Sequence, residues 1–338
     1  MISVWLRKSV VARRGIPVVS QMLVLPCTKR KRPSVASHLV FRTMSSGSTD
    51  SVATRWLTRI SEAQDLVPCT RLYAGSGWHH SLEALQHARQ LGDSMLYAMS
   101  AGLGLVGSDD LVPPYSATFA PDPDQVARAL QESVSVTARH GLWWRVLNGR
   151  RTGAEHPITA RAQRYEVCVC GLGADYLAAA AADLEQAALA LGPDRLFVVC
   201  VGARRMAVSI DLQRCLLPLD LRIECVLPGV RSTLNARSVA WLLRDVVPDT
   251  GWSRGTITRR VEELMGSCNS AWANRDRRRC ASDAEVFSWI RQQLLVSPAT
   301  SRSVLLRQLR ASGTACSQNR FARVFETLHS AMSSGGLA

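Results

Sequence analysis

Lysine is almost missing from this chain. Of its 41 basic residues only Lys8, Lys29 and Lys31 are lysines, and the rest are arginines. Together with abundant Ala, Val and Leu, that choice points to GC-rich coding, so part of the arginine excess reflects codon usage rather than a ligand. Long apolar runs are missing too. No stretch approaches 18 uninterrupted apolar residues, which excludes a transmembrane helix, and the blandest, 177–191, carries Asp183 and Glu185. Charged residues make up 20% and apolar ones 47% of 338 residues. A core can therefore form, and disorder, collagen or coiled coil is excluded as a description of the whole. Acidic residues are scarce, 27 against 41 basic, which leaves +14. That balance favours a polyanionic partner, nucleic acid being the commonest. No two of the ten cysteines form a C-x-x-C pair. Several lie inside apolar runs, as reduced and buried thiols do, so a cytosolic compartment is expected and a metal knuckle is not. A nucleophile elbow, a Walker loop and H-E-x-x-H are absent, and with them the simplest routes to hydrolase, nucleotide-triphosphatase or zinc-peptidase chemistry.

Residues 1–49 contain no acid and nine of the net charges. Three readings stand side by side: a gene start placed too early, a basic arm, or a targeting segment. Met22 directly precedes a natural first strand, so residues 1–21 form an extension outside the fold argument. From there the apolar pattern predicts strands at 22–25, 94–99, 165–170 and 195–201, with a fifth at 221–226. Residues 71–73 read as a short extended piece. Helices are predicted at 52–60, 78–91, 125–140 and 175–191, and 150–157 as a loop. Strands that are near-continuous apolar runs alternating with helices give an α/β class with a mostly parallel sheet and flanking helices. From about 232 the pattern is helical to the end, at 232–246, 252–265, 283–295, 301–311 and 317–332. The organisation expected is an α/β domain over 22–231, a helical connector over 232–274, and an all-α basic region over 275–338.

Four local patterns carry chemistry. Gly102-x-Gly104-x-x-Gly107 after a strand is formally a dinucleotide fingerprint, but Ser108-Asp109-Asp110 and two prolines follow where a helix is needed. No nicotinamide or flavin is expected, nor any other cofactor, and Ser100 to Gly104 remains a ligand-lining loop at a strand's carboxyl end. Gly171-x-Gly173 does precede a helix and makes a tight turn whose amides suit a phosphate. Cys27-Thr28-Lys29-Arg30-Lys31 closes the first strand and puts a thiol among cations, a setting for a nucleophile or an anion site. His79, His80 and His87 share one predicted helix without a matching acid or Cys spacing, so no metal site is expected. Near the end, two short helices flank Ser312-Gly313, like a helix-turn-helix. The second carries Gln318, Asn319, Arg320 and Arg323 on its outer face, side chains suited to base edges and phosphates. From 275 to 324 ten arginines face three acids.

Several segments in order resemble a known family: Leu72-Tyr73-x-Gly75, Ser100-Ala101-x-x-Gly104-Leu105, Pro114-Tyr115, and Gly173-Ala174-Asp175-Tyr176-Leu177. They are similar to the YaaA-like peroxide-stress family and, more closely, to an uncharacterised bacterial domain family related to it, over about 22–240. Leu25-Pro26-Cys27-Thr28-x-x-Lys31 also resembles the Pro-Cys-Ser…Lys motif of archaeosine synthase. The resemblance implies DNA binding under stress, or action on nucleobases beside phage-defence or DNA-modification systems whose subunits would be partners. Cys27 and the arginine-rich helical tail depart from YaaA itself. Two functions follow as expectations. One is a nucleic-acid-associated protein read by Gln318, Asn319, Arg320 and Arg323. The other is an enzyme on a nucleobase or nucleotide, by glycosidic or transfer chemistry. Its catalytic candidates are Cys27, Lys31, Ser100 and Tyr115, and its ligand contacts Lys29, Lys31, Tyr73, Gly75, Ser100, Gly102, Gly104 and Gly173. A plain interaction subunit is the third reading.

Overall fold

The computed structural model describes residues 19–201, 207–269 and 279–333. Most of the basic extension 1–21 and the arginine-rich stretch 270–278 lie outside them. The chain divides into two compact units, Met1–Asn269 and Ser270–Ala338.

The first unit is built on a five-stranded sheet. Its strands are β1 (Gln21–Pro26), β3 (Ser94–Ser100), β4 (Gly104–Gly107), β6 (Val167–Gly171) and β7 (Leu196–Val199), in the order β4-β3-β1-β6-β7. β1, β3, β6 and β7 are parallel and β4 runs antiparallel at the edge. Met22, Leu23, Val24 and Leu25 are completely buried, because a parallel strand is covered on both faces and has no polar alternation to offer solvent. β2 (Val67–Pro68) and β5 (Leu111–Val112) form a separate short antiparallel pair.

The edge strand β4 replaces the expected fifth strand at 221–226. Residues 221–225 instead form a 3-10 turn, started by Asp220, whose carboxylate accepts from Arg222 N at 2.9 Å. β4 is the second half of the glycine pattern. After the turn at 101–103, Gly104 takes φ +71° and the Asn148 side chain accepts from Leu105 N at 2.9 Å, so the chain folds back on β3. No dinucleotide-type helix opens there.

Helices cover the sheet: α1 (Thr49–Ser61), α2 (Cys69–Leu72), α3 (Ser76–Arg89), α4 (Val136–Thr152), α5 (Pro157–Ala162), α6 (Ala174–Ala179), α7 (Ala181–Leu191) and α8 (Ile210–Cys215). The extended piece expected at 71–73 is half helix, since Arg71 and Leu72 close α2. The helix expected at 125–140 lies later, because Ser135 caps it by accepting from Ala138 N and Gly153 ends it in the left-handed region. Trp143 and Trp144 thus sit inside α4, both buried. Only the first three residues of the loop expected at 150–157 belong to the last turn of α4, and the rest runs as a loop into α5.

The helices after 232 are not a connector. α9 (Leu234–Trp241), a π-helical turn (Leu242–Val246), α10 (Val247–Thr250) and α11 (Arg254–Ser267) send Val239, Leu242, Val247, Ile257 and Val261 fully into the first unit's core. Each of these helices has an apolar face that only a sheet-covering layer satisfies.

The second unit has its own small core of Val286, Ile290, Leu305, Leu309, Phe321 and Leu328. Its helices α12 (Asp283–Val296), α13 (Arg302–Ala311) and α14 (Gln318–Ser333) match the expected spans closely, and β8 (Arg279–Cys280) pairs in parallel with β9 (Thr314–Ala315). Among the described residues no helix is long and apolar enough to cross a membrane.

Candidate functional site

β1 is the central strand, and the chain leaves it first toward β3 on one side and later returns to β6 on the other. The carboxyl end of such a strand is where open α/β sheets bind ligands. Three of the expected positions are brought there: Cys27 just after β1, Ser100 at the end of β3, and Gly173 just after β6. Cys27 N–H donates to Met99 O at 2.9 Å, which carries the ladder one residue past the strand. The basic loop then turns back. Arg32 N–H donates to Leu72 O and Ala74 N–H to Arg30 O, both at 2.9 Å, so Lys31 lies antiparallel to Tyr73.

The side chains converge around the thiol. Cys27 Sγ lies 3.4 Å from the Tyr176 hydroxyl. Lys31 Nζ sits over the Tyr115 ring at 4.4 Å and the Tyr73 ring at 5.2 Å, and donates to the Thr28 and Lys29 carbonyls at 2.8 and 3.2 Å. Burial pushes the Lys31 ammonium below its ordinary pKa, an effect only partly opposed by Cys27 and Asp124. Burial also holds the Tyr73, Tyr115 and Tyr176 phenols well above theirs. These tyrosines stay protonated at neutral pH, so their hydroxyls donate hydrogen bonds or relay a proton without standing as free bases.

Behind the thiol runs a hydroxyl chain whose direction is fixed. Ser100 Oγ accepts from Leu103 N at 2.8 Å and Gly102 N at 3.2 Å, which uses both of its lone pairs. Its own proton must go to Tyr115 Oη at 2.5 Å, and the Tyr115 proton to Tyr73 Oη at 2.9 Å. Two indoles hold the same turn from outside: Trp56 Nε1 donates to Gly102 O and Trp143 Nε1 to Ala101 O, each at 2.6 Å. The amides and carbonyls of this turn are therefore already used. Gly102 and Gly104 are buried packing positions, and the Gly102 amide is taken up by Ser100 Oγ.

Ser100, Tyr73 and Tyr115 are completely enclosed, and Cys27 is 7% exposed. The half-buried Tyr176, stacked edge-on against Phe119 at 5.3 Å, is the outer cover of the thiol. The segment that carries Tyr115 and Phe119 is tied to the basic loop by the Lys29–Asp122 ion pair. Two surface concavities, of about 350 and 300 Å³, open elsewhere, around Ser34–Leu39 with Glu62–Asp65 and around Gly141–Arg145 with His156. Gly75 is exposed at the start of α3 in the left-handed region (φ +92°), outside the tyrosine cluster.

Tyr176 is the member that sequence reasoning missed. It belongs to the segment after Gly173, but nothing local to it signals a contact with a thiol 149 residues away.

Of the tail residues, Arg320 is committed internally. Its guanidinium pairs with Asp283 at 2.5 Å and donates to Ala281 O at 2.6 Å, which ties the start of α14 to the start of α12. Arg323 shares Asp283 at 3.1 Å, with its side chain 71% exposed, and Gln318 is exposed. The Asn319 side chain lies outside the described residues. His80 and His87 both face Glu83, at 3.0 and 3.8 Å, on α3. No metal cluster forms among the described residues.

No family model, curated protein or solved structure matches this chain. Its function rests on its own geometry.

Proposed function

We propose that the first unit is an enzyme acting on a nucleobase or nucleotide by covalent transfer at Cys27. The observation that carries this is the thiol itself, beside the Tyr176 hydroxyl and the Lys31 ammonium at the carboxyl end of the central strand. The reactive step balances within the site. Cys27 Sγ bonds to a substrate carbon, the bond from that carbon to the leaving atom breaks with its electron pair, and the thiol proton passes to the leaving atom through Tyr176 Oη. Lys31 supplies positive charge for the developing anion. The hydroxyl chain from Ser100 to Tyr73 fixes the rings on which Lys31 rests. The surrounding aromatic faces and the +14 charge support a base or nucleotide as the substrate class.

Alkylation tests this directly. Burial pushes Cys69 up to about 12 and Cys200 and Cys215 up to about 11, so these thiols react slowly. With iodoacetamide at neutral pH, peptide mass spectrometry should find Cys27 modified along with the exposed Cys225 and ahead of the other buried thiols. Lys31→Met should slow Cys27 at least tenfold and leave Cys225 unchanged. Cys27 reacting no faster than Cys200 would end this reading.

A second reading, nucleic-acid binding by the tail, is favoured by the exposed Gln318 and Arg323 at the start of α14 and the exposed Arg307 on α13. It loses Arg320, which is paired. Because the second unit has its own core, the chain ending at residue 269 is a fair comparison with the whole. Duplex DNA binding that steepens as salt falls, and disappears on truncation, is the expected result. Equal binding by both proteins would remove the tail from the account.

A further inference from the structure

A second polar group stands on the same sheet edge with its orientation already set. Asn235, in the first turn of α9, accepts from Val201 N through Oδ1 at 2.8 Å. That bond fixes which way the amide faces and leaves Nδ2, with two N–H donors, directed elsewhere. Nδ2 has no acceptor among the described residues, and it is not enclosed. It stands 3.8 Å from where a Cβ on Gly173 would be, so the missing side chain at Gly173 leaves it uncovered. The edge is continuous with the thiol. A Cβ on Gly77 would meet Thr28 Cγ2 at 3.3 Å and Thr233 Cγ2 at 3.8 Å, which brings the residue after Cys27 and the residue two before Asn235 around one point.

We propose that Asn235 is a specificity residue that reads an oxygen acceptor on the substrate by donating through Nδ2. This rests on the reading of Cys27 as the centre of a nucleobase or nucleotide enzyme. An amide donor fixed at this point selects carbonyl or phosphate oxygens and disfavours an edge that presents amino groups. The chain uses Gly173 to expose the amide and the Val201 N–H to aim it. A solvent-directed asparagine at a helix start would have no such fixed partner.

The test uses the full chain and reads protection of Cys27 from iodoacetamide by guanine, uracil, adenine, cytosine, their 5′-monophosphates and inorganic phosphate. Asn235→Asp keeps the acceptor for Val201 N–H and replaces the donor by an oxygen. The expected result is that guanine or uracil protects the wild type best, and that the half-protecting concentration rises at least tenfold in N235D while adenine and cytosine change less. If inorganic phosphate alone protects and N235D abolishes it, the oxygen read is a phosphate's. Asn235→Ser, which shortens the donor without adding charge, should lose the same protection and guards against a folding defect in N235D. Protection that is equal in wild type and both variants overturns the role of Asn235 and leaves the enzyme reading intact. No protection of the wild type by any of these compounds overturns both.

Discussion

Gly102→Ala is expected to lower stability by about 3 kcal/mol, because a buried methyl has nowhere to go. A Cβ at this position would lie 2.5 Å from Tyr115 Cε2 and 3.2 Å from Ala117 Cβ, with both neighbours buried. The ring cannot swing aside freely, since Tyr115 Oη is held between Ser100 and Tyr73. Nor can the turn retreat, because the Trp56 and Trp143 indoles hold its carbonyls. Whichever gives way, the hydroxyl chain breaks and Lys31 loses the face it rests on. The melting temperature should fall by roughly 5–10 °C, and alkylation of Cys27 should change with it. Gly255→Ala is the control. It lies in α11, a Cβ there meets nothing within 4 Å, and its effect should stay within about 1 kcal/mol. A G102A protein that melts with the wild type and alkylates at the wild-type rate would show that Tyr115 is free to move.

The second large effect is on pH. His140 is buried against Phe119, at 5.2 Å between rings, and burial pushes its pKa from 6.5 down to about 4, with Arg139 adding to the shift. The unfolded chain binds this proton near pH 6.5, whereas the folded chain refuses it until about pH 4. Stability is therefore complete above about 6.5 and is lost as pH falls toward 4, by up to about 3 kcal/mol. The upper part of that window is fairly clean. The carboxyls of Glu83, Asp122 and Glu132 are held below their ordinary range, so their losses begin at lower pH. Asp175 and Asp183 are pushed up and act in the opposite sense. Chemical denaturation at pH 7 and pH 5 should show the fall in the wild type and a much smaller one in His140→Gln. Equal slopes in the two proteins would mean that the imidazole is solvated.

Much of the fold was legible because its signals are local. β1, β3, β6 and β7 are continuous apolar runs, and α12 to α14 carry the spacing of helices with one buried face. The errors have physical causes. No strand is expected at 104–107, which follow a glycine-rich loop read as lining a ligand, and only the long-range bond from Leu105 N to Asn148 makes them a return strand. Residues 221–226 have a strand's composition, but the Asp220 carboxylate captures the Arg222 amide and winds them into a turn. The start of α4 was readable from Ser135, a capping residue that the apolar pattern obscured. The site divides in the same way. The thiol, the lysine and the tyrosine hydroxyls announce themselves by residue type, whereas Tyr176 enters only through the pairing of β1 with β6. The paired Arg320 is the converse case. Its outward-looking helical position gave no hint of Asp283 on another helix.

The placing of β1 also sets the order in which the protein can be born. Among the described residues it is the first strand of the sheet to be made and the middle strand of the finished sheet, yet its two partners begin at Ser94 and Val167. Its fully apolar run must wait for both. At 5–20 residues per second, the roughly 140 residues between Pro26 and Val167 take about 7–30 s to synthesise. During that interval the central strand has at most one neighbour and two bare faces. Slow translation between those points, or loss of a chaperone that covers nascent apolar strands, should cost soluble yield well before it costs anything in the stability of molecules already folded.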